Sequence, residues 1–198
     1  ILLTIGVTLL GIFTGWLISW AAVLVIIVVW IIGFLYNWRF KKVFLIGNLM
    51  VSLSVGMTFI FGGVSVDRPF SPLVWFFAAW VFLINLGEEI AADAMDIEGD
   101  RKAGSRSLAL VLGREKALMI SAGLFLTVIA ASSLPFILGW LGWIYLPPFI
   151  LTDAVMFYAL IKLLQVEDDK GRIYIRWIYM SGMVTLIIII LLRLILEK

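Results

Sequence analysis

The chain has 198 residues, of which 64% are hydrophobic and 14% charged, with a formal net charge of +2 and a mean hydropathy of +1.15. This composition is typical of membrane proteins and excludes an ordinary soluble domain. The sequence contains no cysteine and no histidine. Disulfides, thiolate chemistry and imidazole bases or metal ligands are therefore excluded, and carboxylates must carry any acid chemistry.

Seven apolar segments follow one another along the chain, each long enough to cross about 30 Å of hydrocarbon as an α-helix. They predict an all-α fold, a polytopic transmembrane bundle of seven helices that forms a single domain over residues 1–198. Proline and glycine residues between positions 135 and 142 separate the fifth helix from the sixth. The segments cover residues 2–18, 20–36, 44–64, 72–92, 115–138, 140–163 and 173–195.

The basic residues are distributed unevenly when successive loops are assigned to alternate sides of the membrane. Only Arg68, Arg193 and Lys198 fall on one face. By the positive-inside rule the other face is cytoplasmic, so we expect an integral protein of the cell membrane whose acidic cluster and the cations that follow it, and hence its active site, face the cytoplasm. The cytoplasmic face carries Arg39, Lys41, Lys42, Arg101, Lys102, Arg106, Arg114, Lys116, Lys162, Lys170, Arg172 and Arg176.

Six of the 13 acidic residues lie between positions 88 and 100. If the fourth helix continues through this stretch, four of them share one helical face, where like charges repel unless a cation neutralises them. Oxygen ligands without nitrogen or sulfur suit Mg²⁺, so the spacing predicts a magnesium site. Glu88 and Glu98 fall off this face, and a solvated interfacial loop is the alternative interpretation. The four predicted metal ligands are Glu89, Asp93, Asp96 and Asp100.

Basic residues follow the acidic cluster directly and would supply donors for phosphate oxygens. They are Arg101, Lys102 and Arg106. Carboxylates, a metal ion and cations together indicate a site for a diphosphate. A second cytoplasmic loop, "YNWRFKKVFLIGN", adds Tyr36, Lys41, Lys42 and Asn48 as candidate substrate-binding residues. Aromatic belts and juxtamembrane lysines are also ordinary topology signals, so this second interpretation is open at this point.

The stretches "DAMDIEGDRKAGSRSLALVLG" and "YNWRFKKVFLIGNLMVSLSVGMTFIFGG" together resemble the UbiA superfamily of intramembrane prenyltransferases, and within it the archaeal digeranylgeranylglyceryl phosphate synthases. The resemblance implies that Asp96 and Asp100 form the family's second aspartate motif, DxxxD. It also places Tyr36, Lys41 and Lys42 on the family's Tyr-and-Lys loop. The basic stretch that the family has after its aspartates corresponds to Arg101, Lys102 and Arg106. Related members often carry a basic residue near position 92, where this chain has Ala92.

The resemblance implies an Mg²⁺-dependent enzyme with Asp96, Asp100 and Lys41 as catalytic residues. It would transfer a geranylgeranyl group from geranylgeranyl diphosphate to the hydroxyl of geranylgeranylglyceryl phosphate and release diphosphate, a step of archaeal ether-lipid biosynthesis. The expected partners are thus a prenyl diphosphate, a lipid-like acceptor and membrane lipid, with no nucleic acid, and the oligomeric state is open. Alternatives are a family member that prenylates an aromatic quinone precursor or a tetrapyrrole, a cation transporter, and a noncatalytic lipid-binding membrane protein.

Two features depart from the resemblance or stand outside it. Members of the superfamily have nine helices and a first Asn/Asp-rich motif after the second, whereas this sequence has seven helices and lacks that motif. We therefore expect an N-terminally truncated chain that lacks half of the metal site and is inactive alone. Separately, Asp153 lies near mid-membrane, where an ionisable side chain is either functional or locally paired.

Overall fold

A computed structural model of the protein describes residues 2–166 and 169–196, and each apolar segment of the sequence is helical in it. The chain therefore has the predicted all-α architecture of a polytopic helical bundle. The α-helices are α1 (Leu2–Ile18), α2 (Trp20–Leu35), α3 (Ile46–Ser65), α4 (Pro72–Met95), α5 (Ile97–Ala103), α6 (Leu108–Leu112), α7 (Arg114–Ala131), α8 (Leu134–Ile137), α9 (Leu146–Gln165) and α10 (Arg172–Leu196). A π-helical turn spans Tyr36–Phe40, and 3₁₀ turns span Trp143–Tyr145 and Asp169–Gly171.

Six helical stretches in the described part of the chain are long and apolar enough to cross a membrane. They confirm six of the seven predicted segments as candidate spans, and the protein is an integral membrane protein. The first segment is also an apolar helix, but it is shorter than the others. The six candidate spans are Trp20–Phe40, Ile46–Ser65, Pro72–Met95, Arg114–Ile137, Trp143–Gln165 and Arg172–Leu196.

Helix α4 lies at the centre of the bundle and packs against α3, α7 and α10. Small residues allow these close approaches, as is usual where lipid removes the hydrophobic drive for helix association. A Cβ atom on Gly56 would lie 2.9 Å from the carbonyl oxygen of Ala78, and one on Gly87 would lie 2.8 Å from the Phe125 ring. The surrounding core is fully buried and includes Trp80, Ile90, Phe125, Phe149, Met156 and Ile178.

The predicted sixth helix begins later than its hydropathy indicates. It was expected from residue 140, but α9 begins at Leu146, after the 3₁₀ turn. Pro147 and Pro148 occupy its first turn, where the missing backbone N–H groups break no intrahelical hydrogen bond. The predicted fifth helix is likewise divided, because α7 ends at Ala131 and α8 is a separate short helix.

The expectation that the fourth helix continues through the acidic cluster is wrong. Helix α4 ends at Met95 and α5 begins at Ile97, with Asp96 between them at φ −131° and ψ 32°, outside the helical region. Aspartate favours such helix ends over helix interiors because its short polar side chain competes for backbone groups. The four carboxylates therefore do not stack on one continuous helical face.

Asp153 lies within α9 and has a local partner. The hydroxyl of Ser132, at the end of α7, is hydrogen-bonded to Asp153 Oδ2 at 2.6 Å. Its other carboxylate oxygen, Oδ1, is buried without a hydrogen-bond partner among the described residues. This arrangement favours the locally paired role that the sequence left open.

Candidate functional site

A pocket of about 210 Å³ lies at one end of the bundle, where the loop after α2, the start of α3, the end of α4 and the loop between α5 and α6 meet. We call it the charged pocket. It brings together eight residues that the sequence singled out, from segments up to about seventy positions apart in the chain. These are Tyr36, Lys41, Lys42, Asn48, Glu89, Asp93, Asp100 and Arg106.

A π-helical turn presents Tyr36 and the lysines to the charged pocket. The amide of Lys41 donates to the carbonyl of Tyr36 at 2.8 Å, five residues earlier, which widens the end of α2. Gly47, buried at the start of α3, lets this turn pack closely, because a Cβ there would lie 3.2 Å from the carbonyl oxygen of Phe40. Single π turns inside helices occur frequently at functional sites.

Two hydrogen bonds join the loops on either side of the charged pocket. Lys42 Nζ donates to the carbonyl of Ala103 at 2.6 Å. The backbone amide of Arg106 donates in return to the carbonyl of Lys42 at 3.1 Å. This inter-loop contact holds the basic side chains of Lys41 and Arg106 at the rim of the same pocket, although both are exposed.

The carboxylates of the pocket come from α4 and α5. Asn48 Nδ2 donates to Asp93 Oδ2 at 2.8 Å, so α3 fixes the orientation of this carboxylate. Glu89 lies one turn earlier on α4, on the same side as Asp93. Asp100 reaches the pocket from α5, and its Oδ2 is buried without a hydrogen-bond partner in the described part of the chain.

Asp96 does not line the charged pocket, although the sequence predicted it as a metal ligand. Its side chain is 58% exposed and lies 3.7 Å from the guanidinium of Arg172, at the start of α10. The carboxylate folds back over α5, where Gly99 leaves room for it, since a Cβ on Gly99 would lie 2.7 Å from Asp96 Cγ. Asp96 therefore occupies the junction between α4 and α5.

Two of the predicted phosphate-binding residues also lie outside the pocket lining. Arg101 forms an exposed pair of 3.4 Å with Glu98, on the same helix. Lys102 is exposed on α5. Such exposed pairs contribute little to stability because water screens them. Of the three described cations after the acidic cluster, Arg101, Lys102 and Arg106, only Arg106 lines the charged pocket.

Sequence reasoning missed three residues near the site. Ser105 and Ser107 line the charged pocket, and Ser107 also caps α6 by accepting a hydrogen bond from the amide of Leu110. Arg172 approaches Asp96 from the last helix. The serines lie beside Arg106 in "GSRS", which was the available signal for them. The position of Arg172 depends on tertiary packing and had no local signal.

The charged pocket combines three carboxylates with three basic side chains at the end of a membrane-spanning bundle. Within residues 2–166 and 169–196, no group of three or more acidic side chains stands close enough together to hold a metal ion. The oxygen chemistry of Asp100, Asp93 and Glu89 suits Mg²⁺, which commonly uses one or two carboxylates plus phosphate oxygens, so one or two of these side chains could serve as its ligands. The lysines and Arg106 suit an anion such as phosphate.

Comparison with known proteins finds a matching family model and similar enzymes from archaeal organisms. A model of the UbiA prenyltransferase family matches residues 1–192. A digeranylgeranylglyceryl phosphate synthase from Methanopyrus kandleri is 37% identical over 139 residues, which cover 70% of this chain and 51% of that protein. The synthase of the same name from Pyrococcus furiosus is 38% identical over 145 residues, covering 73% of this chain and 50% of that protein.

Structural comparison agrees with the sequence matches. A solved structure, described as giving structural and mechanistic insights into the biosynthesis of digeranylgeranylglyceryl phosphate synthase in membranes, matches with a TM-score of 0.78 and 27% identity. The match covers 91% of this chain and 64% of that one. The chain thus spans about half the length of the curated relatives that it matches.

Proposed function

Because the chain belongs to the UbiA prenyltransferase family, we propose that it transfers a geranylgeranyl group from geranylgeranyl diphosphate to the hydroxyl of geranylgeranylglyceryl phosphate. The names of its relatives, at 37% and 38% identity, support this choice of donor and acceptor. The observation that carries the proposal is the charged pocket, where Asp93, Asp100 and Glu89 face Lys41, Lys42 and Arg106. A diphosphate with a divalent cation matches this pairing of charges.

The residues of the pocket divide into two proposed roles. Asp93 and Asp100, with Glu89, would hold Mg²⁺, which when bound supplies positive charge to the oxygens of the diphosphate. Lys41, Lys42 and Arg106 would bind the diphosphate directly, with Tyr36 and Asn48 completing the wall of the pocket. Arg101 and Lys102 are proposed to attract the anionic substrates from the cytoplasm, because both are exposed on α5 beside the pocket.

The reaction breaks one carbon–oxygen bond and forms another. The bond between C1 of the prenyl chain and the diphosphate breaks, and its electron pair leaves with the diphosphate. Lys41, Lys42 and Arg106 stabilise the negative charge that develops there, which is electrostatic catalysis. The acceptor oxygen then bonds to C1 and its proton is released, giving an ether. The apolar bundle below the pocket excludes water from the allylic cation.

The pocket is proposed to face the cytoplasm, in the cell membrane. The loops that surround it carry most of the basic residues, whereas Arg68 and Arg193 lie together at a cavity of the opposite end. This asymmetry supports the orientation through the positive-inside rule.

The proposal is tested by product formation in the gene product that contains this chain, reconstituted in lipid. With Mg²⁺, labelled geranylgeranyl diphosphate and geranylgeranylglyceryl phosphate, we expect a diether product and released diphosphate, and we expect EDTA to abolish both. Prenylation of an aromatic acceptor alone would retain the reaction class and contradict the acceptor. Cation flux into liposomes without diphosphate release would favour a transporter and contradict the proposal.

Replacing Asn48 with leucine is expected to weaken catalysis without unfolding the protein. The change removes the 2.8 Å hydrogen bond that orients Asp93 but keeps the size of the side chain. Groups that orient a metal ligand typically contribute about 10- to 100-fold in metal affinity or activity. We therefore expect the Mg²⁺ concentration for half-maximal turnover to rise by about tenfold. An unchanged Mg²⁺ titration would contradict a metal role for Asp93.

A further inference from the structure

One acidic side chain that the proposed reaction does not use lies inside the bundle. Asp153 is the eighth residue of α9 and belongs to the candidate span Trp143–Gln165. It contacts Ser132, which follows the last residue of α7 and is 4% exposed. Residues of this chain already enclose Ser132 and the Oδ1 atom of Asp153. The surroundings of these two groups therefore do not depend on any segment outside the chain.

The hydroxyl oxygen of Ser132 makes two short contacts. It lies 2.7 Å from the carbonyl oxygen of Ile129 and 2.6 Å from Asp153 Oδ2. Both distances are typical of O–H···O hydrogen bonds, and each such bond needs a proton between its two oxygens. A serine hydroxyl supplies one proton, whereas a carbonyl and an ionised carboxylate supply none. The second proton must therefore come from Asp153.

The end of α7 indicates where the proton of Ser132 goes. Helix α7 ends at Ala131, and the carbonyls in the last turn of a helix lack partners within it. The only backbone amide in the described part of the chain that reaches the Ile129 carbonyl here is that of Ser132, at 3.3 Å, and it lies closer to Val128, at 3.0 Å. Because an unpaired carbonyl is costly inside a membrane, the hydroxyl of Ser132 is needed as its donor.

The rest of the environment disfavours a negative charge on Asp153. Its Oδ1 atom is buried without a hydrogen-bond partner among the described residues, and burial disfavours the charged form of a carboxyl group. Lys162, the next charged residue of α9, lies nine positions further along, about 14 Å away along the helix axis. The cations of α7, α9 and α10 all lie in the first or last two turns of these helices, and they are Arg114, Lys116, Lys162, Arg172, Arg176 and Arg193.

We propose that Asp153 is a neutral carboxylic acid whose O–H group donates to the hydroxyl oxygen of Ser132, while Ser132 donates to the carbonyl of Ile129. The two hydrogen bonds join α9 to the end of α7 across 21 positions of the sequence. They do so without placing a charge inside the membrane. The link requires one proton that stays on Asp153, and it is independent of the charged pocket and of the proposed reaction.

The protonation of Asp153 is tested by infrared difference spectroscopy. The gene product that contains this chain is purified in a neutral detergent at pH 7, about three units above the ordinary aspartic acid pKa of about 4. We expect the spectrum of the wild type minus that of Asp153→Asn to show a carboxylic acid C=O stretching band and no loss of carboxylate bands. Glu115→Gln is the matched control, because Glu115 is exposed at the start of α7, and its loss should remove carboxylate bands only.

The position of the proton is tested with Ser132→Ala. This change removes the oxygen that accepts the proposed O–H donation, so we expect the acid band of Asp153 to remain and to move to higher frequency, as for a carboxyl group that loses a hydrogen bond. A band at an unchanged frequency would show that the proton does not lie between Asp153 and Ser132.

Thermal unfolding in the same detergent tests the link between the two helices. Asparagine is neutral and its amide group can donate to Ser132, so we expect Asp153→Asn to unfold within about 1 °C of the wild type. Leucine cannot donate, and we expect Asp153→Leu to unfold about 2–4 °C lower, the shift for one hydrogen bond in a protein of this size.

Three results would overturn the proposal. The first is a difference spectrum in which Asp153→Asn removes carboxylate bands only, because Asp153 would then be ionised. The second is a clear rise in the unfolding temperature of Asp153→Asn, which would show that the substitution removed a buried charge. The third is failure of Asp153→Asn to fold, since asparagine keeps the shape and the donor that the proposal requires.

Discussion

Replacement of Asp100 by asparagine is expected to lower prenyl-transfer turnover on the order of 100-fold or more, while leaving the fold intact. Groups that only orient a metal ligand contribute about 10- to 100-fold, so a ligand itself should contribute at least as much. Asp100 lines the charged pocket, and its Oδ2 is buried without a partner among the described residues. Asparagine has nearly the same shape but removes the negative charge. The measurement is release of diphosphate from labelled donor at saturating Mg²⁺, made on the reconstituted gene product.

Glu98→Gln is the matched control for this prediction. Glu98 lies on the same short helix as Asp100, but it is exposed and pairs with Arg101 at 3.4 Å, outside the pocket. We expect its loss to change turnover less than about twofold, because exposed ion pairs contribute little. Equal losses in the two variants would show that the charge of α5 as a whole matters and that Asp100 has no special role.

Asp96→Asn separates two hypotheses about the aspartate motif. If Asp96 is a metal ligand, as the sequence predicts, its loss should match that of Asp100→Asn. If Asp96 acts only at the junction of α4 and α5, where it lies 3.7 Å from Arg172, its replacement should lower turnover less than Asp100→Asn does. Arg172→Met should then lower turnover about as much as Asp96→Asn. The comparison of the three variants in one assay decides between these roles.

Replacement of Gly56 by leucine is expected to destabilise the bundle by about 2 kcal/mol or more, the scale of overpacking in a close-packed interior. At this position α3 and α4 approach so closely that a Cβ would lie 2.9 Å from the backbone carbonyl of Ala78. A backbone carbonyl cannot rotate away as a side chain can, so the two helices must separate. Thermal unfolding in mild detergent, followed by circular dichroism, measures the change.

The same substitution should also disturb the charged pocket. The hydrogen bond from Asn48 to Asp93 runs between the same two helices, so it lengthens when they separate. Gly123→Leu is the control, since a Cβ there meets no atom within 4 Å. An unfolding temperature of Gly56→Leu equal to that of Gly123→Leu would contradict the close approach of α3 and α4.

Hydropathy alone predicts the fold well, because each membrane-spanning helix satisfies its own backbone hydrogen bonds and must be apolar along its length. The errors fall at helix ends. The break falls at Asp96, whose carboxylate lies over the glycine at position 99. The start of α9 depends on where prolines can enter a helix. The spacing of apolar residues in the sequence carries no information about either the break at Asp96 or the start of α9.

The charged pocket was predictable only in part. The spacing of the acidic residues named Asp93 and Asp100, but it could not show that Asn48, 45 residues away, would hydrogen-bond to Asp93. The family resemblance named Tyr36 and the lysines without indicating the π-helical turn that presents them. A π-helical turn has one more residue between its hydrogen-bonded groups than an α-helical turn. The side-chain pattern of so short a segment does not distinguish the two.

The contact between Lys42 and Ala103 has a consequence for the order of events during synthesis. Its two halves lie 61 residues apart, so at ribosomal rates of about 5–20 residues per second the first loop waits roughly 3–12 s for the second. In the proposed orientation, Lys41 and Lys42 can act during that interval only on the direction in which the nascent helices insert, because basic residues are retained on the cytoplasmic side. In that orientation the same two side chains first direct insertion and later border the charged pocket.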